Sequence, residues 1–221
     1  MSVTTVVMCD AMGVNAHNIP AGMQKVGAYL TGSGGVAWSV TDLARFHVPE
    51  LVTINQLPAD PGNITADVDD METNAATIKD AVDWSTDRVK AGKMPSIYVQ
   101  ASRVAELINA LKASGINAAD LWMANWNLSE SEARAQVKAA SGPFPVKAIQ
   151  FASPSSNPNT FIPGTNRTLA EADVDLSIAN ADWPAVKITG VPPVKKTGIV
   201  IESGLSVHRV MSADDGKTWV V

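Results

Sequence analysis

Residues 95–126, PSIYVQASRVAELINALKASGINAADLWMANW, carry a complete strand–helix–strand unit. Ile97–Val99 is a short β-branched and aromatic run behind a turn-forming Pro95, and predicts a strand. Val104, Leu107, Ile108 and Leu111 recur at three- and four-residue spacing. Residues 102–114 therefore predict an amphipathic helix, closed by Gly115. Leu121–Trp126 predicts the next strand. Strand, helix and strand in that order join most simply as a parallel pair with the helix packed across it.

The same rhythm extends in both directions. Val3–Asp10, Lys25–Leu30, Leu51–Asn55, Ile64–Asp70, Val146–Phe151 and Val174–Ile178 predict six more strands. Trp38–Phe46 predicts a short helix with Ser39 or Thr41 as its N-cap, and residues 75–91 and 129–140 predict longer ones. Eight strands with interleaved helical patterns imply an α/β fold, a compact (β/α)8 TIM-type barrel over residues 1–185. At about 190 residues it would be small for that fold, with several outer helices shortened. An open doubly wound sheet is the second choice, because no G-x-G-x-x-G follows the first strand. The glycine-rich run from Gly32 to Gly35 predicts a rim loop.

Beyond Trp183 the pattern changes. Pro192, Pro193 and Val194–Gly198 predict a linker, and Ile199–Ile201, Val207–Met211 and the Asp214-Asp215-Gly216 turn predict a small C-terminal β-hairpin appendage. Residues 186–221 form the second expected unit. Its apolar side chains exceed what a free hairpin shelters, which predicts docking to a partner, with folding back to cap the barrel bottom as the alternative.

Composition narrows the functions. The chain has 221 residues and a net charge of −5, with lysines and arginines scattered singly, so nucleic acid is a poor partner. Cys9 is the only cysteine and excludes an intrachain disulfide. His17, His47 and His208 lack metal-ligand spacing, and no metal or other cofactor is expected. No window of 18 apolar residues predicts a membrane span, and Met1–Asp10 lacks the basic and apolar regions of an export signal.

Candidate chemistry centres on Asp67-Val-Asp-Asp-Met-Glu72. On a strand, Asp70 and Glu72 would share a face with Cα atoms roughly 6.5 Å apart. Two converging carboxyls each disfavour the other's ionisation, which suits glycosidic acid/base chemistry; the alternative is a solvated acidic turn. In a parallel barrel, function gathers at the strands' C-terminal ends. Those ends hold Asp10, Asn55, Gln56, Asp70, Glu72, Gln100, Asn125, Gln150 and Asp173 or Asp175. With strands one and eight adjacent, Asp10 and Asp175 would approach each other. Tyr29, Trp38, Tyr98, Trp122 and Trp126 lie among them, and such rings either stack on sugars or pack in the core.

In this order, several segments resemble glycoside-hydrolase-like barrels related to glycoside hydrolase family 25, the lysozyme-type muramidases, in the branch of actinobacteria and their phages. The segments are Val26–Leu30 with the glycine-rich loop and Val36–Trp38, Ala66–Glu72 with Ala75–Thr77, Pro95–Val99, Leu121–Trp126, Ala148–Phe151 and Asp173–Ser177. The resemblance implies Glu72 as general acid, with Asp70, Asp10 and Asp175 stabilising charge or positioning water. It leaves Tyr29, Trp38, Tyr98, Trp126, Asn125 and Gln150 as substrate-binding candidates. It implies a virion protein of the minor tail type, made in the host cytoplasm without a signal peptide. Cell-wall polysaccharide would be its ligand, and the C-terminal hairpin would join other virion proteins.

Overall fold

The computed structural model describes residues 3–32, 34–46, 51–56, 64–71 and 77–184. The C-terminal hairpin expected within 186–221 lies outside the described residues. Eight strands, β1 (Thr5–Ala11), β2 (Lys25–Tyr29), β3 (Leu51–Gln56), β4 (Val68–Asp70), β5 (Ser96–Gln100), β6 (Asp120–Ala124), β7 (Val146–Ala152) and β8 (Asp175–Asn180), close into a barrel in sequence order.

The closed barrel corrects the expected (β/α)8 TIM-type architecture. Strands β1 to β7 pair in parallel, but β8 runs antiparallel to both β7 and β1, which makes the sheet mixed. The helices are also too short to make a full outer ring. Among the described residues, only α2 (Ile78–Lys90), α3 (Val104–Ala113) and α4 (Glu130–Ala139) reach ten residues, while α1 (Val40–Leu43) and α5 (Leu169–Ala172) have four each. A run such as Val174–Ile178 has the same alternation read in either direction, so period alone cannot assign a strand's polarity.

Local chemistry explains where the helices start. Thr77, Ser129 and Thr168 each accept from a backbone N–H three residues on, and Asp80, Glu132 and Glu171 bond back to those caps. Outside the barrel, α2 and α3 bury Trp84, Leu107 and Leu111 against Ile97 and Leu121. Arg88 of α2 donates to the carbonyls of Ile64, Ala66 and Met94, tying the helix to the segments flanking β4 and β5.

The interior is packed solid. Met8, Val52, Ile54, Val68, Tyr98, Trp122, Ala148, Ala179 and Trp183 fill it. Trp183 closes the floor, edge-on to Trp122 at 6.1 Å, with its indole N–H on Ser96 Oγ at 3.3 Å. The Lys25 ammonium donates to the Trp183 carbonyl; burial pulls its pKa down, with Asp182 and Asp67 opposing. At the other end, the reversal of β8 has a direct consequence. The connection from β7 to β8, residues 153–174, starts and finishes at the same mouth.

Candidate functional site

Alternation along the strands decides which polar groups face the interior. Met8 and Val68 belong to the interior cluster, so Asp10 and Asp70, two residues on, face inward as well. On β8, Ser177 accepts from the Trp122 indole inside the barrel at 3.1 Å, which places Asp175 on the same face. Three carboxylates therefore point into one mouth, formed by the C-terminal ends of β1 to β7 and the start of β8. Asp10 is 3% exposed and Asp70 1%.

Asp10 and Asp175 are register partners across the antiparallel pair. Directly opposed residues there share a face, with Cα atoms about 4.5–5.5 Å apart. Such proximity of two acids is unfavourable unless protons, water or a ligand offset it. Across the mouth, the Tyr29 hydroxyl donates to Asp70 Oδ2 at 3.3 Å. The Tyr98 hydroxyl donates to Gln150 Oε1, and its ring stands edge-on to Trp122 at 5.1 Å. Gly27 makes room for this layer: a Cβ there would lie 2.7 Å from Asp10 Cβ and 3.3 Å from the Trp122 ring.

No family model, no curated protein and no solved structure matches the chain. The comparisons therefore lend no support to a family 25 membership or to a phage origin. Among the described residues, no helix is long and apolar enough to cross a membrane, and no group of three or more His, Cys, Asp or Glu could hold a metal ion.

The other sequence candidates separate. Glu72 lies outside the described residues. Trp38 is 6% exposed, packs on Phe46 at 5.9 Å and donates to the Ala11 carbonyl at 2.8 Å, in the layer outside the barrel. Asn125 follows β6, and its Oδ1 accepts from the Asn127 backbone at 3.3 Å, a turn-capping role. Trp126, half-buried, packs against the interior cluster, with its indole N–H unpartnered among the described residues. Asp10, Asp70, Asp175, Tyr29, Tyr98, Gln150 and Trp126 remain together.

Asp69 belongs to a different environment. It faces outward from β4, fully buried, and its Oδ1 accepts from Asn55 Nδ2 at 3.3 Å. Asn55 Oδ1 accepts from the Thr31 hydroxyl at 2.5 Å. Asp69 Oδ2 has no hydrogen-bond partner among the described residues. Burial pushes this carboxyl well above the usual carboxylate range, against the Asn55 hydrogen bond, with a smaller upward push from Asp80. In the sequence Asp69 stands where such a strand usually carries an apolar residue, and its outward, buried position is the structural counterpart. The pairing of Tyr29 with Asp70 and the close fit at Gly27 had no sequence signal, since both join residues distant in the chain.

Proposed function

We propose that the mouth binds a polysaccharide and cleaves a glycosidic bond by carboxylate chemistry. The observation that carries this reading is the convergence of Asp10, Asp70 and Asp175 on one mouth, with Tyr29, Tyr98 and Trp126 among them. Glycoside cleavage needs a proton donor and a carboxylate that stabilises an oxocarbenium-like centre or activates water, beside surfaces on which sugar rings stack. In this reading Glu72 is the acid, Asp70 is oriented by the Tyr29 hydroxyl towards the reacting carbon, and Asp10 with Asp175 holds water or a sugar hydroxyl.

The motif resemblance supports bacterial cell-wall glycan as the polymer, and a phage tail as the setting in which residues 186–221 would join other virion proteins. Reducing-sugar release from purified actinobacterial peptidoglycan tests the chemistry. Wild type is expected to release sugar, and Glu72→Gln and Asp70→Asn to lower the rate by at least about 100-fold. Retention on the glycan without release would sink hydrolysis and leave a wall-binding module. Mass spectrometry of purified virions should find the chain in the tail fraction if the setting is right.

A further inference from the structure

Two connections meet at the mouth from opposite ends of the sequence. The first follows β1 and contains a 3-10 turn, Gly13–Asn18. The second is the long β7–β8 connection, residues 153–174, which ends in α5. Asn15 Nδ2 donates to Asp173 Oδ2 at 2.7 Å, and Asn18 Nδ2 donates to the Ala172 carbonyl at 2.7 Å. Arg167 joins the same cluster, donating to Asn18 Oδ1 at 3.0 Å and to the Glu171 carbonyl at 2.9 Å. Asn18 is thus used on both sides of its amide. The three pairs that involve Asn15 or Asn18 are separated by 149 to 158 residues in sequence, so none of these is a local turn contact; the Arg167 bond to the Glu171 carbonyl spans four.

The backbone at the end of this connection is committed. Asp173 has φ 52°, the one described non-glycine residue with positive φ. Left-handed backbone is tolerated best by Asn and Asp after glycine, and is kept only where its surroundings hold it. Here the Asp173 amide donates to the Leu169 carbonyl at 2.8 Å while its carboxylate takes the Asn15 amide. Two residues later Asp175 enters β8 opposite Asp10.

We propose that Asn15, Asn18, Arg167 and Asp173 form a clamp that positions Asp175 against Asp10 at the mouth. None of the four is a catalytic residue. They act through the geometry of β8's entry, on which the distance between the two carboxylates depends. The consequence for turnover rests on the glycosidase reading; the positioning itself does not. The charged and titratable groups on the surrounding elements include Asp70 at the mouth, Tyr29 and Tyr98 inside the barrel, Cys9 on the outer face of β1, Arg45, which donates to the Ala16 and Ile19 carbonyls at the Gly13–Asn18 turn, and His17, Glu171 and Asp173 with Arg167 at the rim.

Carboxyl carbon NMR titration of the full-length chain without ligand tests the clamp directly. Two opposed acids titrate as a coupled pair, and separating them brings their two apparent steps together. Asn18→Ala combined with Asp173→Ala is expected to narrow the interval between the Asp10 and Asp175 steps. Asp173→Asn, which keeps both the left-handed preference and an acceptor for Asn15, is expected to restore it. On peptidoglycan the double variant should lose about 10-fold in kcat with KM within about 2-fold, as a misplaced group does. Should the double variant fail to fold, Asn15→Ala removes one hydrogen bond and is read the same way. Unchanged pair titration in the folded variants would overturn the clamp, whether or not the chain hydrolyses glycan. Altered titration with no hydrolysis by wild type would retain the clamp and overturn the enzyme reading.

Discussion

Asp69 and Asp70 are neighbours in sequence with opposite surroundings, because successive strand residues face opposite sides of the sheet. Asp70 points into the mouth, where Tyr29 meets it. Asp69 points into the outer layer, fully buried, and burial raises its pKa. A group that binds its proton more tightly when folded contributes stability below its unfolded value, about 4. That contribution is lost as pH rises towards the folded value. Asp69→Asn keeps the shape and needs no proton. Its unfolding free energy relative to wild type should therefore increase from pH 4 to pH 8. Chemical denaturation at the two pH values measures this, and an equal difference at both would show that Asp69 is not held neutral.

At the scale of elements, the capping boxes carry the clearest local information. Ser129 accepts from the Glu132 amide, and the Glu132 carboxylate takes the Ser129 N–H and hydroxyl at 2.8 and 2.6 Å. These bonds pull the Glu132 carboxyl below its usual range, the Ser129 hydroxyl contributing most. Ser129→Ala should cost about 1 kcal/mol of stability, read as a lower denaturation midpoint, with glycan binding unchanged. A change in glycan binding would mean that α4 communicates with the mouth. The β7–β8 connection contrasts with this helix. Its four-residue α5 has a similar box, but a tertiary bond from Asn18 and a local one from Arg167 also hold it.

For the whole molecule, the two ends of the barrel differ. The mouth is polar, whereas the floor is sealed by Trp183, 2% exposed and edge-on to Trp122. Trp183→Ala would remove that seal and leave a cavity beneath Trp122, with an expected loss of about 3–5 kcal/mol. Lys25 would lose the order of its acceptor at the same time. Thermal unfolding of the full-length chain checks this, and a loss under about 1 kcal/mol would show that the floor collapses around the gap.

Local patterns carried the strand segments, the three longer helices and the close of α3 at Gly115, since period and terminal glycines act over a few residues, but the caps Thr77 and Ser129 went unread. Of the two caps read for the short helix, Ser39 and Thr41, it is Ser39 that accepts from the Asp42 amide. The inward placement of Asp10 and Asp70 was also within reach, because period 2 links them to Met8 and Val68, whereas Asp175 has Asp173 and Ser177 at that spacing and its placement rests on its pairing with Asp10. The polarity of β8 was not legible, as an alternating strand has no direction in its composition, and the expected (β/α)8 architecture fell with it. Trp38 could not be separated from Tyr29 or Tyr98 by sequence, because an aromatic's fate depends on what lies opposite. The Tyr29–Asp70 bond and the space beside Gly27 exist only once the strands are assembled side by side, and the clamp joining Asn15 to Asp173 only once closure brings β1 beside β8 and so residues at opposite ends of the chain into hydrogen-bond range.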